Sequence, residues 1–182
     1  KLGIDDLPEL AKTYLIEERP SYVREHAVKV FQAVRYLRSF DELKNLCLEG
    51  ITTDLFTNDS YLTLEEDVLV PILERDDFYI KEVVLWKHVL KWVLTKHPEL
   101  DKDPSKWTPA NIKQAQATLQ ALVGTIRFFL MSSDDYYNEV RPYKKILPRG
   151  VNEQVMLYLL TGKGSESFMA RPRVKPPSES SA

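Results

Sequence analysis

Three histidines, His26, His88 and His97, are the first candidates for chemistry, since imidazole is both a metal ligand and a base near neutral pH. They form neither an H-x₃-H pair nor an HExxH motif, so packing or surface roles are the preferred reading. Two adjacent carboxylate pairs, Asp76-Asp77 and Asp134-Asp135, invite acid–base work. Both stand beside expected helix starts, where aspartates serve as turn and cap residues. Cys47 sits in an apolar-periodic run without a catalytic signature and reads as a small core residue. "GKGS" at 162–165 lacks the earlier glycine and the preceding strand that a phosphate loop needs. Trp86 and Trp92, six residues apart, point to different faces of one helix and read as two core anchors rather than a ligand box.

Two basic stretches complete the inventory. Arg141, Lys144 and Lys145 in "RPYKKILP" could meet phosphate or an acidic partner, but a solvated turn is preferred. "RPRVKPP" carries Pro172 and Pro176 without PxxP spacing, so a linker is preferred to a docking motif. The residues therefore nominate no catalytic, cofactor-binding or metal site.

The elements that would position these residues are all helical. Glycine is scarce, with 6 in the chain, and proline falls mainly at segment edges. Asp5-Asp6-Leu7-Pro8 suits a helix start, and Leu7, Leu10, Ala11, Tyr14 and Leu15 form one apolar face before Pro20 ends the segment. Ser21 is placed to cap a helix with the stripe Val23, Ala27, Val30, Phe31 and Val34. Ser39 with Glu42, and Thr63 with Glu66, read as capping boxes for the next two helices. Pro71 predicts a kink or a later start in "LEEDVLVPIL". Arg75-Asp76-Asp77 then punctuates two apolar segments, and the second, through Trp86 and Trp92, is apolar over more than one face. Thr108-Pro109 opens a long helix running to Met131. Ser133 caps a short helix ended by Pro142, and a last amphipathic helix stops at Gly162.

Composition narrows the classes. The formal net charge is −2 with both signs interleaved, so neither nucleic acid nor a membrane surface is expected as a partner. No apolar run approaches the roughly 20 residues of a membrane span. A single cysteine suits a reducing compartment, and an intracellular, cytoplasmic setting is the expectation. At 182 residues the chain can bury a core without disulfides. The opening Lys1-Leu2-Gly3 reads as part of something longer.

The run "LTLEEDVLVPILERDDFYIKEVVLWKHVLKWV" (62–93) resembles the heart of a BACK domain, the helical module that follows the BTB domain in Kelch-like and related proteins. The elements that carry the resemblance are Leu69 to Leu73, the break Arg75-Asp76-Asp77-Phe78, and Leu90-Lys91-Trp92-Val93. "LGIDDLPELAKTYLIEE" resembles the last BTB helix and the entry into BACK, and "VFQAVRYLRSFDELKNLCLEGI" the helix pair that follows. The stretch from "HPELDKDPSKWT" to "RPYKKILP" is similar to fungal BTB–BACK proteins in which a TLD-type domain often follows. Pro71 and the Gly162–Gly164 exit depart from that pattern.

The resemblance implies an all-α, BACK-type domain of antiparallel helix pairs: residues 1–18 as the end of a BTB domain, 19–162 as BACK, and 163–182 as a flexible linker or tail. It implies a non-enzymatic, cofactor-free module joining a BTB domain to a carboxy-terminal substrate-binding domain in a cullin-type ubiquitin ligase adaptor. Its partners would be a cullin scaffold and, through BTB, a second copy of the parent protein. A structural connector in a BTB–BACK–TLD-type signalling or stress protein, without a ubiquitin role, is the alternative. A third reading has the helix "LPELAKTYL" dimerising through an exposed apolar face. On the helix pair at about 22–52, Tyr22, Phe31 and Tyr36 are the candidate partner contacts, although Phe31 also lies on the apolar stripe, where a core role is the stronger reading.

Overall fold

The computed structural model describes residues 7–163 and 171–174, and it is all-α, with no strand among those residues. The chain divides into two compact units, residues 1–58 and 59–182.

The first unit contains α1 (Leu7–Glu17), α2 (Pro20–Glu25), α3 (Ala27–Val34) and α4 (Asp41–Gly50). Its core is Val23, Ala27, Phe31, Val34, Phe40, Leu43, Cys47 and Ile51; the first four belong to the stripe expected from helical spacing, of which Val30 is only half-buried. The expected inward face of α1 is not realised: no residue of that helix is buried, and Leu7, Leu10 and Tyr14 are exposed. Asp5 and Asp6 lie outside the described residues.

The local signals fare unevenly. Pro20 begins α2 as its first residue, where its missing N–H has no helical partner to lose. Ser21 lies inside that helix and does not cap it, and the helix expected to run on from there breaks at His26. Neither expected serine or threonine capping box forms. Ser39 belongs to a 3₁₀ turn (Arg38–Phe40), and Phe40 precedes α4 without a side-chain cap. Thr63 instead donates to the Ser60 carbonyl at 2.8 Å within a second 3₁₀ turn, Asp59–Thr63. The Thr63 hydroxyl is thus taken by its own turn, and the Ser39 side chain hydrogen-bonds Glu9 instead of capping α4.

The second unit holds α5 (Glu66–Leu73), α6 (Glu82–Lys96), α7 (Pro109–Val123), α8 (Ser133–Asp135) and α9 (Val151–Thr161). Pro71 neither delays nor ends α5, which starts at Glu66 and runs through it. Ser132, not Ser133, caps α8, accepting from the Asp135 amide at 3.0 Å. A π-helical turn (Tyr136–Val140) continues it, and Pro142 opens a 3₁₀ turn (Arg141–Ile146) rather than closing a helix. Thr108 caps α7 as expected, in a reciprocal box with Asn111. Gly162 ends α9 at φ +69°, the left-handed conformation that favours glycine.

The core of this unit is organised by α6. Trp86 is buried edge-on to Phe128 at 5.6 Å between ring centroids, and its Nε1 donates to the Glu139 carbonyl at 2.9 Å. Trp92 is buried on another face and donates to the Leu64 carbonyl at 2.9 Å. Both tryptophans are core anchors, and each finds the acceptor that a buried indole N–H requires.

Helix α7 stops at Val123, short of the Met131 expected for it. In a continued helix the Arg127 amide would donate to the Val123 carbonyl. It donates instead to Glu82 Oε2 at 3.0 Å, and the Thr125 hydroxyl takes the Leu122 carbonyl at 2.7 Å. The Thr125 and Ile126 amides have already tightened to the Leu122 and Val123 carbonyls, and a carboxylate from α6 then takes the next free amide in place of a helical acceptor.

Candidate functional site

The three candidate contact residues do not form one surface. Phe31 is 4% exposed and lies in the core of the first unit, the role its place on the stripe favoured. Tyr36 is 74% exposed, just past the end of α3, with the Arg35 guanidinium 4.3 Å over its ring and exposed Leu37 beside it. Tyr22 is 50% exposed on α2 and stacks on His26 at 4.3 Å between centroids. Helices α3 and α4 pack on one another.

The other candidates have local structural partners. His88 Nδ1 lies 3.1 Å from the Tyr61 hydroxyl, and His97 Nε2 lies 2.7 Å from Thr118 Oγ1. Among the described residues no group of three or more His, Cys, Asp or Glu could hold a metal ion. Cys47 is fully buried, and burial pushes its thiol up to about 11, which makes it a poor nucleophile. Arg141 and Lys144 are exposed, with the Arg141 guanidinium 4.8 Å over the Tyr137 ring. Gly164 and Ser165 of "GKGS" lie outside the described residues.

Asp76 and Asp77, expected as turn residues near the dipole of α6, precede that helix by several residues and are both paired to arginine. Arg75 grips Asp77 through two bonds of 2.8 and 2.9 Å, and its hydrogen bonds hold the Asp77 carboxyl below its ordinary value. Asp76 pairs with Arg127, whose side chain is 0% exposed. The Arg75-Asp76-Asp77 break is thus the solvent-facing edge of an ionic network whose buried members are Arg127, Arg173 and Glu82, rather than punctuation alone.

At the centre of the network lies Arg173. Residues 164–170 and 175–182 of the expected linker lie outside the described residues, but Arg171–Val174 is docked on the second unit. The Arg173 side chain is 2% exposed and its Nε donates at 2.8 Å to Glu82 Oε1, a carboxylate itself 5% exposed. Its Nη1 donates to the carbonyls of Leu73 at 2.8 Å and Arg75 at 2.7 Å, and its Nη2 to that of Thr125 at 2.9 Å. These carbonyls lie at and just beyond the carboxy-terminal ends of α5 and α7, where peptide groups lack helical donors and the helix dipole favours a cation. Arg127 Nη1 meanwhile donates to the Arg171 carbonyl at 2.8 Å, and the Val174 amide to the Asp76 carbonyl at 2.8 Å.

Neither Glu82 nor Arg127 was among the candidates, and Arg173 entered only within "RPRVKPP", where a linker was the preferred reading. The available signals were Arg127 set in the apolar run "TIRFFLM" and Glu82 opening an otherwise apolar helix, but nothing local links either to residue 173. No protein-family model matches this chain, and no solved structure matches it.

Proposed function

We propose that this chain is a BACK-type, non-catalytic protein-interaction and spacer module, joining a BTB domain to a carboxy-terminal substrate-binding domain in a cullin-type ubiquitin ligase adaptor. The observation that supports the reading is the exposed Tyr36–Leu37 corner on the α3–α4 pair. Exposed aromatic and aliphatic side chains on a packed helix pair suit the centre of a protein interface. The connector reading is favoured by a different observation: the ionic network ties residues 73–82, 125–127 and 171–174 together, as a stiff spacer requires.

Calorimetric titration of a purified cullin amino-terminal domain into this chain separates the two. The ligase-arm reading expects micromolar binding that Tyr36→Ala weakens by about tenfold or more, in line with an aromatic hot spot. No heat from a chain shown to be folded leaves the connector.

A further inference from the structure

The ionic network in the second unit has the construction of a peptide site with its ligand in place. Three of the four residues Arg171–Val174 are exposed, and a single side chain, Arg173, goes inward. The acceptors for it come from Leu73, Arg75, Glu82 and Thr125, which belong to helix ends that pack together elsewhere in the unit. Main-chain bonds read the segment on either side of the buried arginine, at the Arg171 carbonyl and the Val174 amide. Pro172, between them, has no amide to leave unsatisfied and biases Arg171 toward an extended backbone.

Recognition is built around a guanidinium. Its planar fork donates to one carboxylate and three carbonyls in different directions, which a lysine ammonium cannot reproduce. Arg127 is held by Glu82 at its amide and by Asp76 at its side chain, so the group that reads the Arg171 carbonyl is itself oriented by the pocket.

We propose that this pocket is a docking site for an extended, arginine-bearing peptide segment, and that Arg171–Val174 is its ligand in cis. Tethering sets an effective concentration of roughly millimolar, so a separate peptide of the same sequence is excluded while the cis segment is seated. Removing the cis arginine opens the site to that peptide.

The test uses the full chain carrying Arg173→Ala and a fluorescently labelled peptide with the sequence of residues 168–178, read by anisotropy. Saturable binding to R173A, at least tenfold weaker on the unsubstituted chain, is expected. The same peptide with lysine in place of its second arginine should bind at least tenfold more weakly, as should the original peptide on a chain carrying both Glu82→Gln and Arg173→Ala. Should R173A fail to fold, the titration is repeated on Arg173→Gln, which keeps a polar side chain in the pocket without a competing cation. Absence of saturable binding to a folded R173A or R173Q chain overturns the proposal. So does equal binding with and without Glu82, or failure of both variants to fold even with the peptide present, because Arg173 is then only a structural clamp.

Discussion

At the scale of single residues, one glycine and one acid show how position governs role. Gly50, the last residue of α4, lies against the junction of α2 and α3: a Cβ there would meet Arg24 Cα at 2.8 Å and the Ala27 Cβ at 3.2 Å. The nearer atom is backbone, which cannot swing aside. Gly50→Ala therefore incurs overpacking of about 1–3 kcal/mol, against at most about 1 kcal/mol gained from alanine's helix propensity. The denaturant midpoint should fall; an unchanged or raised midpoint would show that the junction yields. Glu82 makes the complementary point. As a residue type it suits the first turn of a helix and needs no further explanation. Its burial and its two arginine-derived donors, the Arg127 amide and Arg173 Nε, emerge only when α6, the end of α7 and residue 173 meet.

At the scale of elements, α6 is joined to the 3₁₀ turn Asp59–Thr63 by a polar seam that titrates. Tyr61 packs edge-on to His88 at 5.4 Å and donates to its carbonyl at 3.4 Å, and Lys91 pairs with Asp59 at 2.6 Å. Burial, followed by the nearby Lys91 charge, lowers the His88 pKa below its ordinary 6.5, with Asp59 opposing. The unfolded chain therefore binds the His88 proton more readily than the folded one. This contribution to stability is full above about pH 6.5 and declines as pH falls from there through the folded value. Melting temperature measured from pH 7.5 down to 5 should drop less steeply for His88→Gln than for the unsubstituted chain. Equal slopes would remove His88 from the account. Helix existence here was legible from periodicity and proline placement. Helix ends were less so: Thr108 caps as its type suggests, whereas Ser39 bonds Glu9 and Thr63 bonds within its own turn.

At the scale of the whole molecule, the two units carry separate natural probes. Cys47, the single cysteine, is in the core of the first unit, and all three tryptophans, Trp86, Trp92 and Trp107, are in the second. A smaller unit buries a smaller fraction of its unfolded surface and is the more marginal of the two. Cys47 should thus become reactive toward a thiol reagent at lower denaturant than that at which tryptophan emission shifts. Coincident midpoints would mean that both cores melt in one transition.

The helical class, the inward stripe of α3, the two tryptophan anchors and the stop at Gly162 were all legible in the sequence. Each follows from the 3.6-residue period or from a residue's own backbone preference, which act within one segment. Tertiary structure alone decided that α1 keeps its apolar face exposed, that α7 ends eight residues early, and that Arg173 belongs to a core rather than a tail. The last two of these involve charged groups buried with their partners. The Arg173 guanidinium is satisfied only by groups 48 to 100 residues away in the chain, a separation over which no local pattern carries information.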